Sequence, residues 1–321
     1  MYDVVGLGEL LVDFTPAGAS ISGNPLLEAN PGGAPCNVLA MLAKCGKRTG
    51  FIGKVGKDSF GRMLEDTIQK AGIDTAGLSW SEEVPTTLAF VQIDEQGERS
   101  FSFYRNPGAD MMLTEEDLSR EMLENTKIFH FGSLSMTHPG VRQATKQATQ
   151  WAKEAGALLS FDPNLRPLLW EDLQTAREQM LYGCSVCHIL KVAEEELEFI
   201  TGRETVEEGV NYLRERFHIP LILVTFGAKG SRAYLADRKV SVKAFLTPET
   251  VDTTGAGDTF CGCCLAYILE KGGLDDLTDT QLKEMLTFAG AAATLVTTQK
   301  GAIRSMPEIQ QVKDFIAAYS N

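Results

Sequence analysis

No apolar run in this 321-residue chain reaches the roughly 18 residues that a membrane span requires. The start, Met1-Tyr2-Asp3-Val4-Val5, lacks the basic and apolar regions of a signal peptide, so a cytoplasmic location is expected. Cysteine is sparse and odd in number. Seven residues without framework spacing suit a reducing compartment better than a disulfide scaffold. Basic runs are absent as well: 30 Lys and Arg against 43 Asp and Glu leave a formal charge of −13, which speaks against a nucleic-acid surface. Neither membrane nor nucleic acid is expected as a partner. Any anionic ligand has to be held locally, by backbone N–H groups, a metal ion or a few placed cations.

The usual phosphate signatures are missing too. The nearest approach to Gly-x4-Gly-Lys-Ser/Thr is Gly53-Lys54-Val55-Gly56-Lys57-Asp58, which lacks both the spacing and the hydroxyl. Gly6-Leu7-Gly8-Glu9 carries two of the three glycines of a dinucleotide-binding turn, which disfavours a dinucleotide-dependent oxidoreductase. The protein-kinase set is absent. Cys184 and Cys187 fall in or beside a strand expected over 186–190, where residues three apart face opposite sides. With the four histidines scattered, no zinc site is expected. Cys261, Cys263 and Cys264 sit in an apolar helical stretch and read as small core residues.

What is present reads as one large α/β domain, with 44% hydrophobic residues to build its core. A strand at Val4 to Gly8 leads through Pro31-Gly32-Gly33-Ala34-Pro35 into an apolar helix. From about residue 127, short apolar strands (128–131, 158–161, 186–190, 221–225) alternate with helical stretches near 140–155, 171–182 and 205–217. That rhythm predicts βαβ units and a doubly wound, largely parallel sheet flanked by helices. The C-terminal third is helical, with Leu282, Met285, Leu286, Ala289, Ala293 and Val296 on one stripe. Residues 86–93 and 99–105 break the rhythm: two β-rich runs flank Asp94-Glu95-Gln96-Gly97, a hairpin that projects as a lid, an oligomer contact or both. Together with a second segment, the lid is expected near 10–32 and 86–110.

The most informative run is Val251-Asp252-Thr253-Thr254-Gly255-Ala256-Gly257-Asp258-Thr259-Phe260. Small residues let the backbone approach a ligand closely, and the exposed N–H groups at the following helix start form an anion site. This run resembles the C-terminal signature of the ribokinase-like sugar kinases. Gly32-Gly33-Ala34-Pro35-Cys36-Asn37, with Gly46 and Gly56, resembles their N-terminal one, and the likeness covers essentially the whole chain.

The resemblance implies a set of roles. Asp258 accepts the proton of the attacking hydroxyl, while the N–H groups of Gly255, Ala256 and Gly257 receive charge on the transferred phosphoryl group. A helix-start carboxylate such as Asp258 is expected to stay ionised. On the sugar side stand Asp13, Gly32, Gly33, Asn37, Tyr104, Arg105 and Arg166; the stretches Phe103 to Met111 and Phe161 to Arg166 are similar to those of fructokinases in particular. On the nucleotide side stand Lys191, where the family has asparagine, and Thr225, Gly227 and Gly230. Glu194 corresponds to a residue that organises Mg²⁺ through water, and Asp252, Thr254 and Ser305 to positions around a monovalent cation such as K⁺. Glu195 and Glu196 read as no more than a helix's first turn.

The implied activity is ATP-dependent phosphorylation of a small ketose, D-fructose to fructose 6-phosphate. The alternatives within the family are ketodeoxygluconate kinase and ribokinase; a carboxylated substrate would call on Arg105 and Arg166. A non-catalytic sugar or nucleotide sensor is the reading from another class, and the retained base at Asp258 speaks against it. A homodimer through the apolar lid is expected.

Overall fold

The computed structural model describes residues 1–93 and 99–319, with the backbone alone at 92–93 and 99–101. The hairpin turn expected at 94–97 lies outside the described residues. Two sheets carry the chain. The small one contains β2 (Leu11–Ala19), β3 (Pro25–Gly32), β6 (Leu88–Ile93) and β7 (Arg99–Tyr104), in the order β3-β2-β6-β7. The large one contains β1 (Tyr2–Leu7), β4 (Thr49–Gly56), β5 (Ile73–Ser81), β8 (Thr126–Gly132), β9 (Leu158–Asp162), β10 (Ile189–Ala193), β11 (Leu221–Thr225), β12 (Ser231–Leu235) and β13 (Arg238–Val242). Its order is β13-β12-β11-β10-β9-β8-β1-β4-β5. All pairings from β5 to β11 are parallel, and the β12–β13 hairpin adds an antiparallel edge that the alternation of sequence did not announce.

Parallel strands covered on both faces should be apolar throughout, and β11 shows why. Leu221 and Leu223 point into one core, with the helices Ala34–Lys44, Ala256–Glu270 and Asp279–Val296; Ile222 and Val224 point into the other, with Pro139–Glu154 and Leu173–Val186. The expected stripe on Asp279–Val296 is buried at Leu282, Met285, Leu286, Ala289 and Val296, while Ala293 is only partly covered.

The strand expected over 186–190 begins only at Ile189. Cys184 lies in the last turn of Leu173–Val186 and Cys187 caps that helix, so strand alternation does not govern them. Both thiols are buried. Among the described residues no group of three metal-ligating side chains comes together, and no helix is long and apolar enough to cross a membrane.

The small sheet lines one cavity together with residues at the carboxyl ends of β1, β8, β9 and β10, where ligands of open α/β sheets are bound. Its two stems are pinned by buried polar contacts. Asp58 accepts from the N–H and hydroxyl of Thr86 at 2.8 and 2.9 Å. Arg105 is locked to Asp110 (Nη2 to Oδ2, 2.7 Å), and donates to the Leu134 carbonyl and the Thr137 hydroxyl; Thr87 donates to the other oxygen of Asp110.

Candidate active site

Two cavities meet at the start of helix Ala256–Glu270. The first, about 310 Å³, lies under the small sheet; the second, about 390 Å³, lies between the Gly227–Gly230 turn, residues 243–250 and helix Asp279–Val296. Thr253 and Gly257 line both. Gly255 takes φ +79°, a left-handed turn suited to glycine, and a Cβ there would press within 2.8 Å of Ala302. The Ala256 N–H turns to the Thr253 carbonyl at 3.3 Å, whereas those of Gly255 and Gly257 make no hydrogen bond among the described residues. Two of the three N–H groups that the sequence suggests are therefore left without a partner among the described residues, at the positive end of the helix dipole.

Asp258 is buried at this junction and accepts a hydrogen bond from Asn37 Nδ2 at 2.7 Å. Asn37 comes from helix Ala34–Lys44, whose start is built by Gly33 at φ +128° and by Glu9, which accepts from the Ala34 N–H at 2.8 Å. Burial, and then the charge of Asp162, push the Asp258 carboxyl up to about 6, against the pull of Asn37, Lys191 and Arg166. The helix dipole alone does not hold it at an ordinary value, because desolvation outweighs it.

The first cavity carries four carboxylates, Glu9, Asp13, Asp252 and Asp258, against Arg166 and Lys191. The Asp13 carboxylate makes no hydrogen bond among the described residues, and burial raises it to about 7 despite Arg166. Gly32 stands beside it: a Cβ there would come within 2.6 Å of Asp13 Oδ2. Strand alternation decides which lid residues face in. Asp13 pairs with Ala89, and Ala89 with Phe103, so Val91 and Phe103 reach the cavity wall. Tyr104 does not. It is 68% exposed on the outer face, edge-on to Phe90, which stacks on Phe14. Arg105, expected at the sugar, is held away from the cavity in its buried pair with Asp110.

Lys191 also departs from expectation: it lines the first cavity, not the second. Thr225, Gly227 and Gly230 do line the second, with Gly290 and the ring of Phe245. Glu194 borders neither cavity and lies 3.6 Å from Lys229. Asp252 receives the Thr254 hydroxyl and N–H and the Gly301 N–H, which joins the 252–254 turn to the 301–305 loop; Ser305 donates to the Gly301 and Ala302 carbonyls.

Several contributors escape sequence reasoning. Glu9 is buried in the cavity wall, where burial raises it to about 7. Asn164 lines the cavity in a left-handed conformation, φ 45°. Glu196 is more than a first-turn acid: it accepts from Ala193 N and from Leu165 N, bracing the 162–166 loop. Asp162 and Asn164 lie within the Phe161 to Arg166 stretch, so the signal was there. Glu9 had none beyond its place after Gly8.

A nine-stranded α/β body with a four-stranded sheet over its ligand cavity is the ribokinase-like architecture. The chain matches the model of the pfkB family carbohydrate kinases over residues 1–309 and belongs to that family. It is 43% identical over 316 residues to fructokinase-1 of Zea mays, covering 98% of this chain and 97% of that one. It is 42% identical to fructokinase-1 of Oryza sativa subsp. japonica, over 97% and 96% of the two chains. Among solved structures it resembles the ATP-bound fructokinase of Xylella fastidiosa, with a TM-score of 0.91, 30% identity and 100% coverage of both chains. It also resembles the Vibrio cholerae O395 fructokinase with fructose, ADP and calcium, with a TM-score of 0.87, 32% identity and coverage of 98% and 99%.

Proposed function

We propose that this chain transfers the terminal phosphoryl group of ATP to D-fructose, yielding fructose 6-phosphate and ADP. The observation that carries the reading is the junction of two cavities at Gly257, with Asp258 beneath it. Sugar in the first cavity and triphosphate in the second would bring the attacking hydroxyl and the phosphoryl group together there. Asp258 takes the hydroxyl proton and the N–H groups of Gly255 and Gly257 receive the charge, as positioning and electrostatics dominate phosphoryl transfer. Asp13 and Asn37 orient the sugar. Arg105 is committed to Asp110, so one of the two arginines that a sugar acid would call on is withdrawn. Asp252 and Asp258 in the wall, with Glu9 and Asp13 ionised in part near neutral pH, favour a neutral polyol over an anion.

Small divalent ions such as Mg²⁺ are held by one or two carboxylates, phosphate oxygens and waters. Glu194, the carboxylate expected for that ion, borders neither cavity and lies beside Lys229, so in this structure it does not fit that role. Asp252, Thr254 and Ser305 are the residues for a monovalent cation, since one hydrogen-bonded loop pair contains all three. Seven free cysteines, six of them buried, suit a cytoplasmic location.

The test is ADP release with fructose, ribose, ketodeoxygluconate, glucose and adenosine as acceptors. Fructose is expected to give the highest kcat/KM by at least about tenfold. A higher value for ketodeoxygluconate overturns the assignment of the sugar.

The small sheet acts as a lid in this reading, and its outer face pairs two copies. Phe14, Phe90 and the exposed Tyr104 form one aromatic patch there. A self-complementary apolar patch suits a two-fold contact. Sedimentation is expected to show a wild-type dimer and a Phe90→Glu or Tyr104→Glu monomer. Val91 is no probe of this contact, since it faces the sugar cavity. A wild-type monomer at micromolar concentration removes the lid from any interface.

A further inference from the structure

Lys191 stands where the family resemblance places an asparagine, and the residue is almost wholly buried, 7% exposed. A buried ammonium is costly unless anions surround it. Asp162 supplies one, with its carboxylate oxygens 3.0 and 3.3 Å from Nζ. Burial works to lower the Lys191 pKa, but the charges of Asp162, Glu196 and Asp258 outweigh it and raise it, so the group stays cationic.

An ion pair buried only for the fold has no reason to lie in a cavity wall. This one does, at the point where the two cavities join. Lys191 lines the first cavity beside Gly257 and Asp258. A Cβ on Gly257 would lie 3.0 Å from Lys191 Nζ, so the ammonium is packed against the residue that both cavities share. Of its three N–H donors, the Asp162 carboxylate engages at most two, and among the described residues the rest meet no other acceptor.

We propose that Lys191 is a catalytic cation: held by Asp162, its ammonium contacts the phosphoryl group as it passes from the second cavity to the first. In that step the sugar oxygen forms its bond to the terminal phosphorus, and the bond from that phosphorus to the bridging oxygen of ADP breaks. The hydroxyl proton goes to Asp258. Negative charge gathers on the phosphoryl oxygens, in a site already holding Asp162, Asp258 and Glu196. A fixed ammonium offsets it without reorganisation, which a neutral side chain at this position does not do. The inference rests on the kinase reading but not on fructose as the acceptor.

The experiment compares wild type with Lys191→Met in turnover and in calorimetric binding of ADP, with and without aluminium fluoride as a mimic of the phosphoryl group in flight. The expected result is a kcat lowered roughly 10²–10³-fold, in the range for loss of one such stabilising donor. The KM for sugar should stay within about threefold, and binding with aluminium fluoride should weaken at least tenfold while ADP alone changes less than about twofold. A kcat within threefold of wild type, or equal weakening of ADP with and without fluoride, overturns the proposal. Lys191→Gln carries the same comparison if the methionine variant does not fold. Should wild type show no turnover with fructose, the sugar assignment fails, and the fluoride comparison still decides the role of Lys191.

Discussion

Asp258→Asn is expected to lower kcat by roughly 10²–10⁴, the span that loss of a general base covers. The substitution keeps the size of the side chain and leaves an amide oxygen to accept from Asn37 Nδ2, so helix Ala256–Glu270 should start as before. What it removes is the oxygen proposed to take the proton. Sugar binding and thermal stability should therefore stay close to wild type, and that split separates chemistry from folding. The wild-type pH profile supplies the sign. Burial raises Asp258 to about 6 in the folded state, so activity is full above that value and falls as pH drops through it, when the base becomes protonated. Purified, folded Asp258→Asn turning over at a near-wild-type rate would defeat the assignment.

Gly33→Ala should damage both the fold and the site. Gly33 holds φ +128°, and an added Cβ would lie 2.3 Å from the carbonyl oxygen of Glu9. The Cβ would meet only backbone atoms of Glu9 and Leu10, none of which has a flexible end that can move aside. Left-handed strain and overpacking each cost about 1–3 kcal/mol. Together they are expected to lower Tm by about 5 °C or more. The loss reaches the site because the same turn positions the Glu9 carboxylate on the Ala34 N–H and sets the direction of the helix that presents Asn37 to Asp258. The KM for sugar should rise at least tenfold in whatever fraction folds, since a hydrogen bond to a charged group is worth about 1.5–3 kcal/mol. A variant with wild-type Tm and KM would show that the backbone relaxes at no cost.

The sequence by itself determined the main-chain logic of this protein. Apolar runs of strand length alternating with helical periods leave few folds other than a parallel sheet covered on both faces, and the cores on either side of β11 realise that pattern. The two glycine motifs were equally plain, because a close backbone approach and a left-handed turn admit almost no other residue. Even the two faces of the lid were written in its alternation. Which face looks inward was not, since a period of two is blind to the direction of the core. The tertiary structure decided that Val91 and Phe103, and not Tyr104, reach the cavity. It also decided the charges. Arg105 and Lys191 are both cations beside motif residues, yet one is locked to Asp110 at the lid stem and the other to Asp162 at the junction of the cavities. The rise of Asp258 has the same origin, because burial and the field of neighbours brought from distant strands set it. Such effects depend on separations of a few ångströms between residues far apart in the chain, and only folding creates those separations.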